Sequence, residues 1–359
     1  MPSSAAPEWF PFALRLDPLA AMLNAELSDH PVYDGVELQW FDDDVHGTGM
    51  LAFLSRREDR TVDYYAAPGL RLDPRGYGIG RGTRSWTVTT FDDATLRVEP
   101  DGVVARVRFT DVDGRTVELD VDDRDGRPRR RARMLAPVSS GIESPRSLLV
   151  VWMHEFDLVH VTDRPPVFRI DGEDVATGRL PGRALHRRHL VKYAGPLCSV
   201  ELCAGDADPA RTDDDTHARV ETTAEDTGVR AVVVARPPHT ARLLLDPPFP
   251  DPAALEPAAA RSGRWALHVD DASVTSGAWR LERSGDDVTI VLDRLTAWRP
   301  VALPPLMRVV TRLVPVFRRW PTTYAWRGTA AIASPGAVTG TWRRTGGHDG
   351  RAYRRATGS

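Results

Sequence analysis

The stretch Trp152-Met153-His154-Glu155-Phe156-Asp157-Leu158-Val159-His160 is the densest run of titratable side chains on an apolar background in the chain. Zinc proteases place two histidines four apart on a helix, with a glutamate after the first. Here the histidines are six apart. On a strand they share a face about 20 Å apart, too far to chelate one ion. Acid–base chemistry fits better. Strand alternation sends Trp152, His154, Phe156 and Leu158 to one side and Glu155, Asp157 and Val159 to the other. An imidazole between two aromatic rings can have its pKa pushed toward neutrality. His154, Glu155 and Asp157 are therefore the acid–base candidates, with Trp152 and Phe156 as wall. The competing reading is a hydrogen-bonded core histidine.

A second cluster is His186-Arg187-Arg188-His189-Leu190-Val191-Lys192-Tyr193, where Tyr193 or His189 could donate a proton. Lys192 and Tyr193 alternate, so they cannot both face one cavity, and a basic linker entering a strand competes. Lys192 is the only lysine among 47 basic residues, Asn24 the only asparagine and Gln39 the only glutamine. That pattern reads as coding bias, which would tend to remove Lys192; a salt-bridged surface lysine is the plain alternative.

Other segments carry less. The run Arg127-Pro128-Arg129-Arg130-Arg131-Ala132-Arg133 lacks interleaved aromatics and reads as a solvated hairpin. The segment from Gly76 to Gly82 meets neither dinucleotide nor Walker spacing and reads as a loop or barrel lid. Neither a Gly-x-Ser-x-Gly elbow nor a cysteine nucleophile motif occurs.

The elements that must position these groups are strands. Short alternating segments run from Val36 to Arg344, cut by Asp-Gly and Ser-Gly pairs that favour tight hairpins. Val103–Thr110 alternates cleanly, and Leu148–Val161, rich in valine and without a turn residue, reads as one long strand bent midway. Helix is expected at residues 9–28, broken near Pro18, at Ala253–Ala260, and at Leu303–Trp320, kinked at Pro315. The expected division is an N-terminal extension over 1–30, a first barrel over 31–170 and a second over 171–359. The fold class is all-β: two lipocalin-like antiparallel barrels or curved sheets in tandem.

Composition narrows the partners. A net charge of −3 gives no global pull toward nucleic acid. Two cysteines, Cys198 and Cys203, sit five apart on a strand, about 16 Å, and suit a reducing compartment. No leader and no apolar run of membrane-spanning length is expected, which places the chain in the cytoplasm. The basic amphipathic segment Leu303–Trp320 offers peripheral membrane contact or a gate, against the default of a helix packed outside a barrel. Ten tryptophans could line an apolar cavity or fill two cores.

Glu37-Leu38-Gln39-Trp40-Phe41-Asp42, Gly49-Met50-Leu51-Ala52-Phe53-Leu54 and the pair Tyr64-Tyr65 resemble the carotenoid 1,2-hydratase/AttH-like family of tandem lipocalin domains. The resemblance implies a large hydrophobic substrate and no cofactor. The expected function is binding of an isoprenoid- or polyketide-like molecule in an aromatic-lined pocket. Trp152, Phe156, Trp40, Tyr64 and Tyr65 would be the binding residues, and His154, Glu155, Asp157 and Tyr193 would serve a hydratase or cyclase. A non-catalytic lipid carrier and a structural β-protein mediating protein contacts are the alternatives.

Overall fold

The computed structural model describes residues 9–136, 145–178, 188–204, 218–223, 228–296, 303–313 and 324–344. They form an all-β protein of three sheets. The first sheet has ten strands: β1 (Phe12–Leu19), β2 (Ala21–Glu26), β3 (Tyr33–Asp43), β4 (Gly47–Arg56), β5 (Val62–Ala66), β6 (Thr83–Val88), β10 (Ala132–Ala136), β11 (Leu148–His160), β14 (Arg188–Ala194) and β15 (Leu197–Ala204). The second has five: β7 (Asp93–Glu99), β8 (Gly102–Thr110), β9 (Thr116–Asp122), β12 (Val167–Ile170) and β13 (Glu173–Asp174). The third is an eight-stranded meander: β16 (Ala218–Thr222), β17 (Val229–Arg236), β18 (His239–Phe249), β19 (Ala260–Val269), β20 (Ala272–Ser284), β21 (Asp287–Thr296), β22 (Tyr324–Ala331) and β23 (Ser334–Arg344). One α-helix, α1 (Pro305–Leu313), occurs among the described residues.

Turn chemistry explains the hairpins. Gly114 of the β8–β9 hairpin and Gly285 of the β20–β21 hairpin follow Asp113 and Ser284 at positive φ, which glycine adopts without a Cβ clash, whereas Asp125-Gly126, read as a hairpin turn, joins β9 and β10 of different sheets. The alternation of β8 is also seen: Val103, Ala105, Val107 and Phe109 are buried, while Arg106, Arg108 and Thr110 are exposed.

The ends differ from the sequence reading. Residues 9–28 hold no helix. Phe12, Leu14 and Leu16 alternate with Ala13, Arg15 and Asp17, and β1 and β2 pair with β15 and with β14 and β3. An apolar period of two outweighs the helix propensity of Ala and Leu once partner strands are present. Ala253–Ala260 is not helical either. Only Pro252–Ala254 makes a single 3₁₀ turn, capped by the Asp251 carboxylate accepting from the Ala253 amide at 2.9 Å, and Ala260 opens β19. The first sheet does not end at residue 170, since β14 and β15 lie inside it and the meander starts at Ala218. α1 covers part of the expected Leu303–Trp320 helix; Pro315 lies outside the described residues.

Three apolar cores follow from which face meets which partner. Leu14, Leu148, Val150, Trp152 and Val200 pack against the meander, where Trp265, Trp279, Trp326 and Trp342 fill the interior. Leu23, Val36, Leu38, Met50 and Leu54 face the five-stranded sheet through Val103, Val107, Phe109 and Leu119. The other face of β2 to β5, with Phe41, Leu51, Phe53 and Tyr64, meets Met134, Phe156, Leu158 and the buried Leu303, Met307 and Val310 at and before α1.

Long strand β11 serves all three. Leu148–Met153 pairs with β15, and Phe156–His160 pairs with β14. Against β10, Met153 opposes Met134 and Phe156 opposes Ala132, so β11 carries one extra residue between them, a β-bulge. The bulge breaks the expected parity. Trp152 joins the meander core, Phe156 and Leu158 join the helix-covered core, and Val159 enters the core between the sheets.

The tryptophans of the meander fill space. The Trp326 ring lies over the cross-strand pair Gly328 and Gly340; a Cβ on Gly340 would sit 2.3 Å from Trp326 Cζ2. Gly340→Ala should therefore cost about 1–3 kcal/mol by overpacking. The same change made in a Trp326→Ala background should cost less, because the clash with the ring is gone and only the close approach to the Arg327 carbonyl remains. Urea unfolding of the four-member cycle measures this, and additive costs would refute the close approach.

Candidate functional site

The chain's only asparagine and only glutamine donate to one carboxylate, and its only lysine binds that asparagine and a second carboxylate. Alternation puts Met22, Asn24 and Glu26 of β2 on the face of the first sheet that also carries Phe41, Phe53 and Tyr64, opposite to Leu23 and Ala25. On β3 the same face holds Glu37 and Gln39, and on β14 it holds Leu190, Lys192 and Ala194. Asn24 Nδ2 donates to Glu37 Oε2 at 3.1 Å, and Gln39 Nε2 donates to Glu37 Oε1 at 2.8 Å. Lys192 Nζ donates to Glu26 Oε1 at 2.9 Å and to Asn24 Oδ1 at 3.5 Å.

These groups lie in one cross-strand row. Leu158, Lys192, Asn24, Glu37, Phe53, Tyr64 and Trp86 are successive register partners from β11 to β6. Neighbours in such a row are about 4.8 Å apart. Their side chains point the same way, so a cation, an amide and a carboxyl run directly into an aromatic platform. Tyr64 stacks on Trp86 with centroids 5.3 Å apart, and Phe53 and Tyr77 meet it at 5.2 and 5.5 Å. Tyr77 and Ile79 come from the glycine-rich loop, which packs onto this face.

Glu37 is held by neutral amides, with Lys192 one residue further along the row. Burial raises its pKa above the ordinary carboxylate value; the Gln39 and Asn24 hydrogen bonds and the Lys192 charge oppose this. Each oxygen accepts one amide proton and keeps a second lone-pair direction for a proton of its own. Tyr64 Oη is buried and makes no hydrogen bond of good geometry among the described residues. Burial raises its pKa well above the usual phenol value.

The residues singled out from the sequence are distributed over several places. Tyr64 and Phe156 lie on the face just described. Trp40, Tyr65 and Tyr193 point into the core between the sheets. Tyr65 Oη accepts from the Val112 amide at 3.3 Å. Tyr193 accepts from Arg129 Nη1 at 3.3 Å, and burial pushes its pKa up to about 12. Glu155 is exposed and pairs with Arg131 at 2.6 Å. Asp157 accepts from the Leu158 amide at 2.8 Å and lies 3.2 Å from His160 Nε2. Arg129 and Arg131 are buried, contrary to a solvated hairpin: Arg129 pairs with Asp123 at 2.6 Å, and the Arg131 guanidinium stands 5.5 Å over the Tyr193 ring.

His154 sits at the seam between the first sheet and the meander. Its ring stacks on His239, centroids 4.6 Å apart, with Trp152 edge-on at 6.3 Å. Asp270 Oδ2 lies 3.2 Å from His154 Nε2 and 3.2 Å from His239 Nδ1. Burial lowers the His154 pKa, helped by His239 and Arg133 and opposed by Asp270. The Cys198 thiol is buried in the same place, and burial raises its pKa.

A separate polar network surrounds the fully buried Asp63, which accepts from Arg56, Arg84 and Ser85 at 2.6–3.2 Å. Tyr33 donates to Asp111 at 2.8 Å, and Arg115 pairs with Asp111 and Asp113. Each carboxylate there has its cation, which fits a structural role.

No family model, no curated protein and no solved structure matches this chain. No helix among the described residues is long and apolar enough to cross a membrane.

The raised Glu37 pKa sets a pH signature. A carboxyl that binds its proton more tightly when folded contributes stability fully present below the unfolded value of 4.5 and lost as pH rises through the folded value. The stability of the wild type minus that of Glu37→Gln should therefore fall as pH climbs from 4.5. Urea midpoints at stepped pH values report it, and a difference that rises with pH would show the carboxylate to be stabilised as an anion.

Proposed function

We propose that the helix-covered face of the first sheet binds a hydrophobic small molecule of the isoprenoid or polyketide kind, and that Glu37 performs acid–base chemistry on it. The row Lys192–Asn24–Glu37–Phe53–Tyr64–Trp86 carries this reading. It sets a carboxyl with no direct cationic partner among the described residues beside a group of aromatic faces.

The chemistry follows from that adjacency. Protonated Glu37 transfers its proton to one carbon of a C=C bond and becomes a carboxylate. The cation left on the other carbon is attracted by the electron-rich faces of Phe53, Tyr64 and Trp86. Water, or a second double bond of the same molecule, adds to the cation, and the proton released returns to Glu37. The net result is hydration or cyclisation with no redox change. Asn24 and Gln39 hold the carboxyl against rotation, and Lys192, tied to Glu26, supports the Asn24 amide. Met307 and Val310 of α1 keep water from the apolar end.

Carriage without chemistry is the second reading, favoured by the apolar residues of α1 that already occupy part of this face. Geranylgeraniol incubated with the protein in ¹⁸O-labelled water separates the two by mass spectrometry. The catalytic reading expects a labelled hydrate or a cyclised isomer, with the rate lowered about 10²–10⁴-fold in Glu37→Gln. Saturable binding with no product supports carriage. A Phe53→Arg variant that binds as the wild type does would remove the site from this face.

A further inference from the structure

We infer that His154, Cys198 and His239 form a binding site for a borderline-soft divalent transition metal of the zinc type, clamping the first sheet to the meander. This site is separate from the Glu37 row and stands without it.

The donors converge although they come from three distant parts of the chain. His154 lies on β11 at the bulge, Cys198 on β15 as register neighbour of Trp152, and His239 at the first position of β18. One ligand atom from each lies within 4.8 Å of the other two. Zinc bonds of about 2.0–2.3 Å set donors roughly 3.5 Å apart, so rotation of the two stacked imidazoles and a closure of about 1 Å would complete the set. One thiolate with two imidazoles selects zinc or copper over magnesium and calcium, which take oxygen.

Two further features point to a ligand. His154 Nε2 is buried, yet its 3.2 Å approach to Asp270 Oδ2 lacks hydrogen-bond geometry, and no other partner satisfies it among the described residues. Asp270 is itself fixed: Oδ1 accepts from the Thr240 amide at 2.8 Å, and its backbone amide donates to the Thr240 carbonyl at 2.8 Å. Asp270 meets His239 at Nδ1, which orients that imidazole to ligate through Nε2, and its approach to His154 Nε2 makes it a candidate fourth ligand at the edge of the site.

The test uses the full chain, reduced and stripped with chelator, and titrates Co²⁺ as a coloured stand-in for zinc. One equivalent should bind with a near-ultraviolet thiolate-to-cobalt charge-transfer band, and Zn²⁺ should displace it. Cys198→Ser should lose the band, whereas Cys203→Ser, at the chain's other cysteine, should keep it. Affinity should fall more than about 100-fold in His239→Ala and about 10–100-fold in Asp270→Asn. His239→Asn replaces the alanine variant if circular dichroism shows that the latter does not fold. Absence of stoichiometric binding to the wild type, or a band that survives in Cys198→Ser, overturns the site.

Discussion

One extra residue in β11 governs much of this molecule. Between Met153 and Phe156 the strand bulges, changes partner from β15 to β14, and turns its side chains over. Before the bulge the even-numbered residues Leu148, Val150 and Trp152 enter the core shared with the meander; after it, Phe156 and Leu158 enter the face covered by α1. A regular strand would keep one parity and could serve only two cores. Here the same strand joins three, and the residue at the break, His154, is delivered to the seam between sheets.

Burial on both faces of the first sheet is the second constraint. Its β2–β5 strands have the five-stranded sheet on one side and the helix-covered core on the other, so every side chain is committed by parity. The inter-sheet side is almost wholly apolar. The opposite side admits Glu26, Glu37, Asn24, Gln39 and Lys192, and their hydrogen bonds are mutual. A half-buried carboxyl among neutral amides is costly as an anion, which raises its pKa above the ordinary carboxylate value. The Asp63 and Asp123 networks show the other solution, in which arginine sits directly on the carboxylate.

The meander packs its tryptophans against its own backbone. Gly263, Gly328 and Gly340 accept indole rings against bare backbone, so the interior is filled by Trp279 and Trp326. Its contribution to a site is made at the edge, where the turns before β18 and after β19 bring His239 and Asp270 to His154.

Much was legible in the chain alone: the β class, most of the Asp-Gly and Ser-Gly hairpins, and the single long strand at Leu148–His160. These are local properties, set by alternation and turn stereochemistry. Rarity also marked Asn24, Gln39 and Lys192, though nothing local joined residues so far apart. Their linkage through Glu37 and Glu26, the splitting of Trp152 from Phe156, and the gathering of His154, Cys198 and His239 depend on strand order and register. Period-two patterning tells which side chains share a face of one strand; it does not tell which strand lies next to it. Only the paired sheets decide that, because long-range neighbours are chosen by the burial of whole faces rather than by any residue's own sequence context.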